Sequence, residues 1–168
     1  MIVLEERLKE LFALLPEIQI NSQVSKQPIF SWGRKEELNR YIETYKSDSY
    51  PLIWLLQPQS ETHNRLAKRV TQNVILILAT LETRDELFNQ QRWQGSYKSV
   101  LNPLAEYVIQ ALENSSITRL EDSTNITILK EPNYSESDKN GAIDKWDALR
   151  IECEVEFNDN CLNTIKWI

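Results

Sequence analysis

Hydrophobic positions in this chain follow two periodicities, and the densest run is neither. Within Val70–Leu81, the segment Val74–Ala79 is apolar at every position and rich in β-branched residues. A strand with one wet face alternates, whereas a run apolar throughout needs cover on both faces. The run therefore predicts the central strand of a sheet with a layer packed on each side. Tyr50–Leu56 predicts a second strand, entered through Pro51 and stopped by Pro58. The polar segment Gln59–Lys68 joins the two, so the simplest pairing is an antiparallel hairpin with a long hydrophilic connection. Near the C-terminal end, Ile151–Phe157 alternates without a break. Ile151, Cys153, Val155 and Phe157 point to a core, and Glu152, Glu154 and Glu156 point the other way. Shorter strands are predicted at Ile117–Leu120 and Ile126–Leu129. Residues 18–31 predict a short strand with an irregular connection, ending in a turn at Trp32-Gly33.

The second period is helical. Val3, Leu4, Leu8, Leu11, Phe12 and Leu15 give an amphipathic helix over 2–15, followed by Pro16. Leu38, Tyr41, Ile42 and Tyr45 place another at 34–45. The longest stripe runs from Tyr97 through Leu101, Leu104 and Val108 to Leu112, a helix over 96–113. Pro103 interrupts it, which predicts either a regular start there with Asn102 as cap or a kink. Residues 82–95 read as a charged connection carrying Arg92-Trp93, and Glu131–Gly141 as a long polar loop. Together these elements predict a single α+β domain over residues 1–168, a mainly antiparallel sheet packed against amphipathic helices.

Composition refines this picture without changing it. A chain of 168 residues can bury about 70% of its unfolded surface around one core. No apolar run reaches membrane-spanning length, and the first residues, with Glu5 and Glu6, predict no signal peptide. Cys153 and Cys161 lack metal-ligand spacing, which fits reduced cytosolic thiols. The net charge of −6 is concentrated: Glu121–Asp159 holds eleven acids against four bases, and the remainder is nearly neutral. An acidic C-terminal third argues against a surface that grips nucleic acid. The five Trp residues suggest a well-packed core or contact surfaces.

Catalytic chemistry is hard to assemble from these residues. Three glycines, at 33, 95 and 141, leave no phosphate-binding loop, and no nucleophile elbow or Cys/His pair is present. His63, the one histidine, sits between polar neighbours without a partner spacing. Asp144 and Asp147 precede Glu152 and Glu154, and such acids would have to converge to hold a metal. No catalytic, cofactor or metal residue is assigned. The Glu152/Glu154/Glu156 ladder reads as an all-glutamate outer face, suited to water or to a channel through which a polyanion slides.

The order of elements, with Tyr50-Pro51-Leu52-Ile53-Trp54 before the hairpin and Trp146-Asp147-Ala148-Leu149 opening the acidic strand, resembles the tail terminators or tail-completion proteins of tailed bacteriophages. The resemblance spans Val3 to Phe157 as layout rather than motif. It implies a non-enzymatic virion protein at the tail neck, assembled in the host cytoplasm. Such a protein forms a ring, usually a hexamer, that caps the tail tube protein and meets the head–tail connector protein. DNA passes through the ring only as cargo, and no membrane is involved. Glu152, Glu154 and Glu156 would then be lumen-facing, with loops 57–69 and 131–141 as contact candidates. An alternative from another class is a small acidic cytosolic inhibitor, immunity- or antitoxin-like, that blocks a basic partner. A third, a metal nuclease, needs the carboxylates to converge.

Overall fold

A computed structural model describes residues 3–45, 50–57, 60–82, 89–120, 126–132, 145–158 and 165–167. Its centre is a pair of 14-residue antiparallel strands, β6 (Arg69–Glu82) and β9 (Lys145–Asn158), paired along their whole length. The apolar run foreseen at Val74–Ala79 lies in the middle of β6. Leu76, Ile77, Leu78 and Ala79 are buried, so this part of the strand is covered on both faces. The alternating C-terminal strand is longer than its sequence pattern, because Trp146, Asp147, Ala148 and Leu149 are buried on both faces and so do not alternate.

Shorter strands flank the central pair. In chain order they are β1 (Ile18–Gln19), β2 (Ser25–Lys26), β3 (Ile29–Gly33), β4 (Leu52–Leu56), β5 (Glu61–Asn64), β7 (Thr118–Leu120) and β8 (Thr127–Glu131). β1 and β2 form a separate hairpin, and the rest form a seven-stranded sheet in the order β3-β4-β6-β9-β7. β5 shares the β6 edge with β4, and β8 shares the β9 edge with β7. Among the described residues only the β3–β4 pair is parallel. It is bridged by helix α2 (Lys35–Tyr45), as a parallel connection requires.

Two expectations change here. Trp32-Gly33 is not a turn but the end of β3, where Gly33 has φ 153° and its carbonyl accepts the Trp54 indole N–H at 3.1 Å. The polar 59–68 segment is not all connection. Residues 61–64 pair with β6 as β5, and a tight turn follows in which Asn64 Oδ1 accepts the Ala67 N–H at 3.1 Å and Lys68 takes φ 52°. Residues 46–49 and 133–141 of the foreseen loops lie outside the described residues.

Helices cover both sheet faces, unequally. On one face lie α1 (Leu4–Phe12) and the long helical segment, over a core of Leu8, Phe12, Ile53, Leu76, Leu104 and Phe157 among others. Every such fully buried Leu or Phe stabilises by about 1.5–3 kcal/mol. On the other face, among the described residues, α2 alone lies on the sheet and seats Leu38 and Ile42 against Leu52, Trp54, Ile77, Ala79, Trp146 and Ala148. The first helix is shorter than 2–15 because residues 13–15 turn away, though Leu15 stays buried.

The helix expected over 96–113 already runs from Asn89. It passes from α3 (Asn89–Arg92) through a π-helical stretch, Trp93–Leu101, into α4 (Asn102–Asn114). Asn102 is not a cap, since it has helical φ and ψ and its N–H bonds the Tyr97 carbonyl five residues back. Pro103 has no N–H to give and its ring crowds the carbonyl four residues earlier. The wider turn upstream fits that requirement, and the Ser99 hydroxyl donates to Gln94 O at 2.7 Å.

Candidate functional surface

The unequal cover leaves half of one sheet face without a helix among the described residues. Odd-numbered positions of β6 and even-numbered positions of β9 share this face, by the alternation of each strand and the β6–β9 register. Under α2 those positions are apolar, namely Ile77, Ala79, Trp146 and Ala148. Beyond Ile77 and Ala148 they become Arg69, Thr71 and Asn73 on β6, and Arg150, Glu152, Glu154 and Glu156 on β9, with Ile75 half-buried between them. The sequence-assigned residues Glu152, Glu154 and Glu156 therefore do lie together on an outward face.

That face is not all glutamate, contrary to the sequence reading. Arg150 Nε lies 2.6 Å from Glu152 Oε1, and Arg69 Nη1 lies 3.0 Å from Glu156 Oε1. Arg119 on β7 sits directly across from Glu156. Three guanidinium groups thus interleave with three carboxylates, and the repulsion expected along the ladder is offset. Arg150 was visible two residues before Glu152 on the same strand face. Arg69 and Arg119 come from distant strands, so only the pairing register reveals them.

The acids do not converge as a metal site would need. Asp147 belongs to the odd-numbered, opposite face of β9 from Glu152 and Glu154. It is 1% exposed, with Oδ1 at 3.3 Å from Arg92 Nε. Asp144 lies outside the described residues. Among the described residues no group of three His, Cys, Asp or Glu side chains is close enough to hold a metal ion. His63 is on β5 rather than in a loop, and its Nε2 lies 3.0 Å from Glu61 Oε2 at the surface.

The Arg92–Asp147 pair anchors a second polar cluster beside the π-helical turn. Tyr97 is buried with its hydroxyl donating to Ala148 O at 3.4 Å. Burial first, and then the charge of Asp147, push its ionisation far above the usual tyrosine range. Trp93 stacks on Tyr97 at 6.2 Å, and Lys130 Nζ lies 4.0 Å over the Trp93 ring. The chemistry of this cluster is anchoring: it ties the helix start to β9 and β8. Cys153 is buried in the main core, which pushes its thiol up to about 11.

The fold and surface define an α+β protein whose mixed sheet shows one apolar, helix-covered side and one side divided into apolar and ion-paired halves. Neither a scan against known protein families nor a search of characterised proteins finds a match. No helix among the described residues is long and apolar enough to cross a membrane.

Proposed function

We propose that this chain is a structural assembly protein of a tailed bacteriophage, a tail terminator at the head–tail neck. In this reading several copies close into a ring that caps the tail tube and joins it to the head connector. The observation that carries it is the helix-free half-face of the sheet. Its Glu152, Glu154 and Glu156 are interleaved with Arg69, Arg119 and Arg150, so that it has little net charge. A wall of that kind offers DNA neither a cationic grip, which would hold phosphates through counterion release, nor strong repulsion. It suits a lumen through which a polyanion passes as cargo.

Among the described residues the acidic inhibitor reading loses support on the same observation, because an inhibitor of a basic partner presents uncompensated acid and this face does not. The test is sedimentation of the tagged chain from lysate of its native source, with quantitative mass spectrometry of the heavy fraction. Travel with large particles at a few copies each, and a ring at the tail end by imaging, is the expected result. A chain that stays in the light fractions ends the tail-terminator reading. A ring whose outer wall carries Glu152, Glu154 and Glu156 ends the lumen assignment alone.

A further inference from the structure

We infer that this chain joins a second copy of itself edge to edge through β3 and β8, continuing the seven-stranded sheet from one subunit into the next. The observation is a match between the two outer strands. Following the printed pairings across the sheet, Trp32 is level with Leu55, Leu76, Ile151 and Ile128. Ser31 is level with Trp54, Ile77, Arg150 and Leu129, and Phe30 with Ile53, Leu78, Leu149 and Lys130. Both edge strands are five residues long and occupy the same rungs. β3 runs parallel to β4, and each of the next three pairings, β4–β6, β6–β9 and β9–β8, reverses direction. β3 and β8 are therefore antiparallel, and a second copy placed beside the first in the same orientation meets it with an antiparallel edge.

The hydrogen-bonding parity also agrees. Ile29 N–H donates to Pro51 O, so Ile29 and Ser31 direct their backbone groups to β4, and Phe30 and Trp32 direct theirs outward. Carrying the alternation across β4, β6 and β9 turns Leu129 and Glu131 inward to β9 and leaves Ile128 and Lys130 facing outward. On the shared rungs, the outward residues of one edge thus meet the outward residues of the other. The side chains fit as well. Trp32 is 39% exposed and Ile128 46%, and both stand on the α1 side of the sheet on the same rung. Leu129, 46% exposed, stands on the other face opposite Ser31. Among the described residues no strand pairs with the outer side of β3 or β8, and an open edge with apolar side chains is a template for strand addition. The charged side chain that could guard it, Lys130, is turned onto Trp93. Closure of such contacts into a ring rests on the proposed function; the edge pairing itself does not.

Disulfide trapping in the full-length chain with Cys161→Ser tests it. Ser31 and Leu129 would form a non-hydrogen-bonded pair, the closer kind, which suits a disulfide. Mixing purified Ser31→Cys and Leu129→Cys proteins under mild oxidation is expected to give a covalent heterodimer, with neither variant linking alone. Adding Ile128→Pro to the Leu129→Cys protein removes an outward N–H that β9 does not use. It is expected to leave the circular dichroism unchanged and cut the heterodimer yield at least about tenfold. Absence of the heterodimer, linkage of Leu129→Cys to itself, or equal yield with Ile128→Pro overturns the pairing. None of these results changes whether the chain sediments with particles, so the two readings fail separately.

Discussion

Removing the Asp147 carboxylate is the sharpest test of how the two polar clusters differ. Asp147 is 1% exposed and the Arg92 side chain 12%, with 3.3 Å between Oδ1 and Nε. At an effective dielectric of about 20 the attraction is about 5 kcal/mol. Desolvating both ions costs several kcal/mol each, so the intact pair contributes little net stability. Asp147→Ala is a different matter, because it leaves the guanidinium in the same confined place without its counter-charge. The expected loss is about 3–5 kcal/mol, in the lower half of that range because a 12% exposed guanidinium retains a path to water. For a domain of this size that lowers Tm by roughly 6–20 °C. The double change Arg92→Met with Asp147→Leu removes both charges and is expected to recover most of the loss. Asp147→Ala also takes away one of the two largest causes of the raised Tyr97 ionisation, so the tyrosine titrates earlier in ultraviolet absorbance. The assays are urea denaturation of both variants and spectroscopic titration. A loss below about 1 kcal/mol, or a double variant no more stable than the single one, refutes the argument.

Three further outcomes are expected. Arg69→Ala breaks an ion pair whose arginine is 45% exposed, so denaturation should register less than about 1 kcal/mol, diminishing further in high salt. The Cys153 thiol is raised from 9.0 to about 11 by burial, so its contribution to stability is complete below pH 9 and is lost as pH rises through about 11. Replacing Cys153 with Ala should flatten the part of the alkaline limb between those values, and peptide-resolved iodoacetamide labelling at pH 8 should find Cys153 unmodified in the native chain. Gly33→Ala would place a Cβ 2.5 Å from Glu37 Oε2 and 2.9 Å from Trp54 Cζ2 at a φ of 153°. Thermal melts should show a loss of about 1–3 kcal/mol, and an unchanged Tm would contradict the geometry.

The sheet was legible in the sequence wherever burial decides the pattern. Val74–Ala79 was expected to be covered on both faces and is so from Leu76 to Ala79, with Ile75 half-buried beside the polar half-face, and Ile151–Phe157 is covered on one face as expected. The antiparallel pairing of 50–56 with the central strand also follows from adjacency along the chain. What could not be read is set by partners distant in sequence. β5 consists of Glu61, Thr62, His63 and Asn64, all exposed, so its strand character comes from the ladder with β6 rather than from any apolar period. Trp32-Gly33 looked like a turn because glycine permits one, yet Gly33 is kept by the close approach of Trp54 and Glu37 to its Cα. Of the helix foreseen over 96–113, the start at Asn89 escaped because 82–95 reads as a charged connection, and the π-helical turn escaped because proline signals a stop or kink in α-geometry and this is the unusual way past it. Most consequentially, the glutamate ladder could be assigned to an outward face, but Arg69 and Arg119 reach it from 87 and 37 residues away along the chain.

The same interleaving bears on how the central pair finds its register. Alternation excludes a slip of one residue, which would turn Glu152, Glu154 and Glu156 into the main core. It does not exclude a slip of two, which keeps each side chain on its own face. Against that second ambiguity each strand carries a switch from apolar to polar along the α2 side, after Ile75 on β6 and after Ala148 on β9, and the two are offset, so that Ile77 and Ile75 lie across from Arg150 and Glu152. Ile77 and Ala79 on β6 lie beside Arg150 and Ala148 on β9, and Thr71 and Asn73 lie beside Glu156 and Glu154. Sliding β9 by two residues one way would carry Glu152 to the level of Ile77, at the margin of the α2 cluster. Sliding it the other way would bring Ala148 out to Ile77 and leave Trp146 opposite Ala79, away from the Tyr50 ring it meets edge-on at 6.2 Å. The first slip also moves Glu156 away from Arg69, to the level of Asn73, whereas the second would set Glu156 directly across from Arg69. The charge of Glu152 therefore opposes the first slip, and the seating of Trp146 in the α2-side cluster against Tyr50 opposes the second. Glu152→Ile removes the charge that the first slip would carry to Ile77, and it should weaken that choice of rung more than it changes the fold's stability. Hydrogen exchange of the β6–β9 ladder would register this as faster exchange at 69–73 than at 76–79. Uniform protection along both strands would mean that the long ladder needs no such marker.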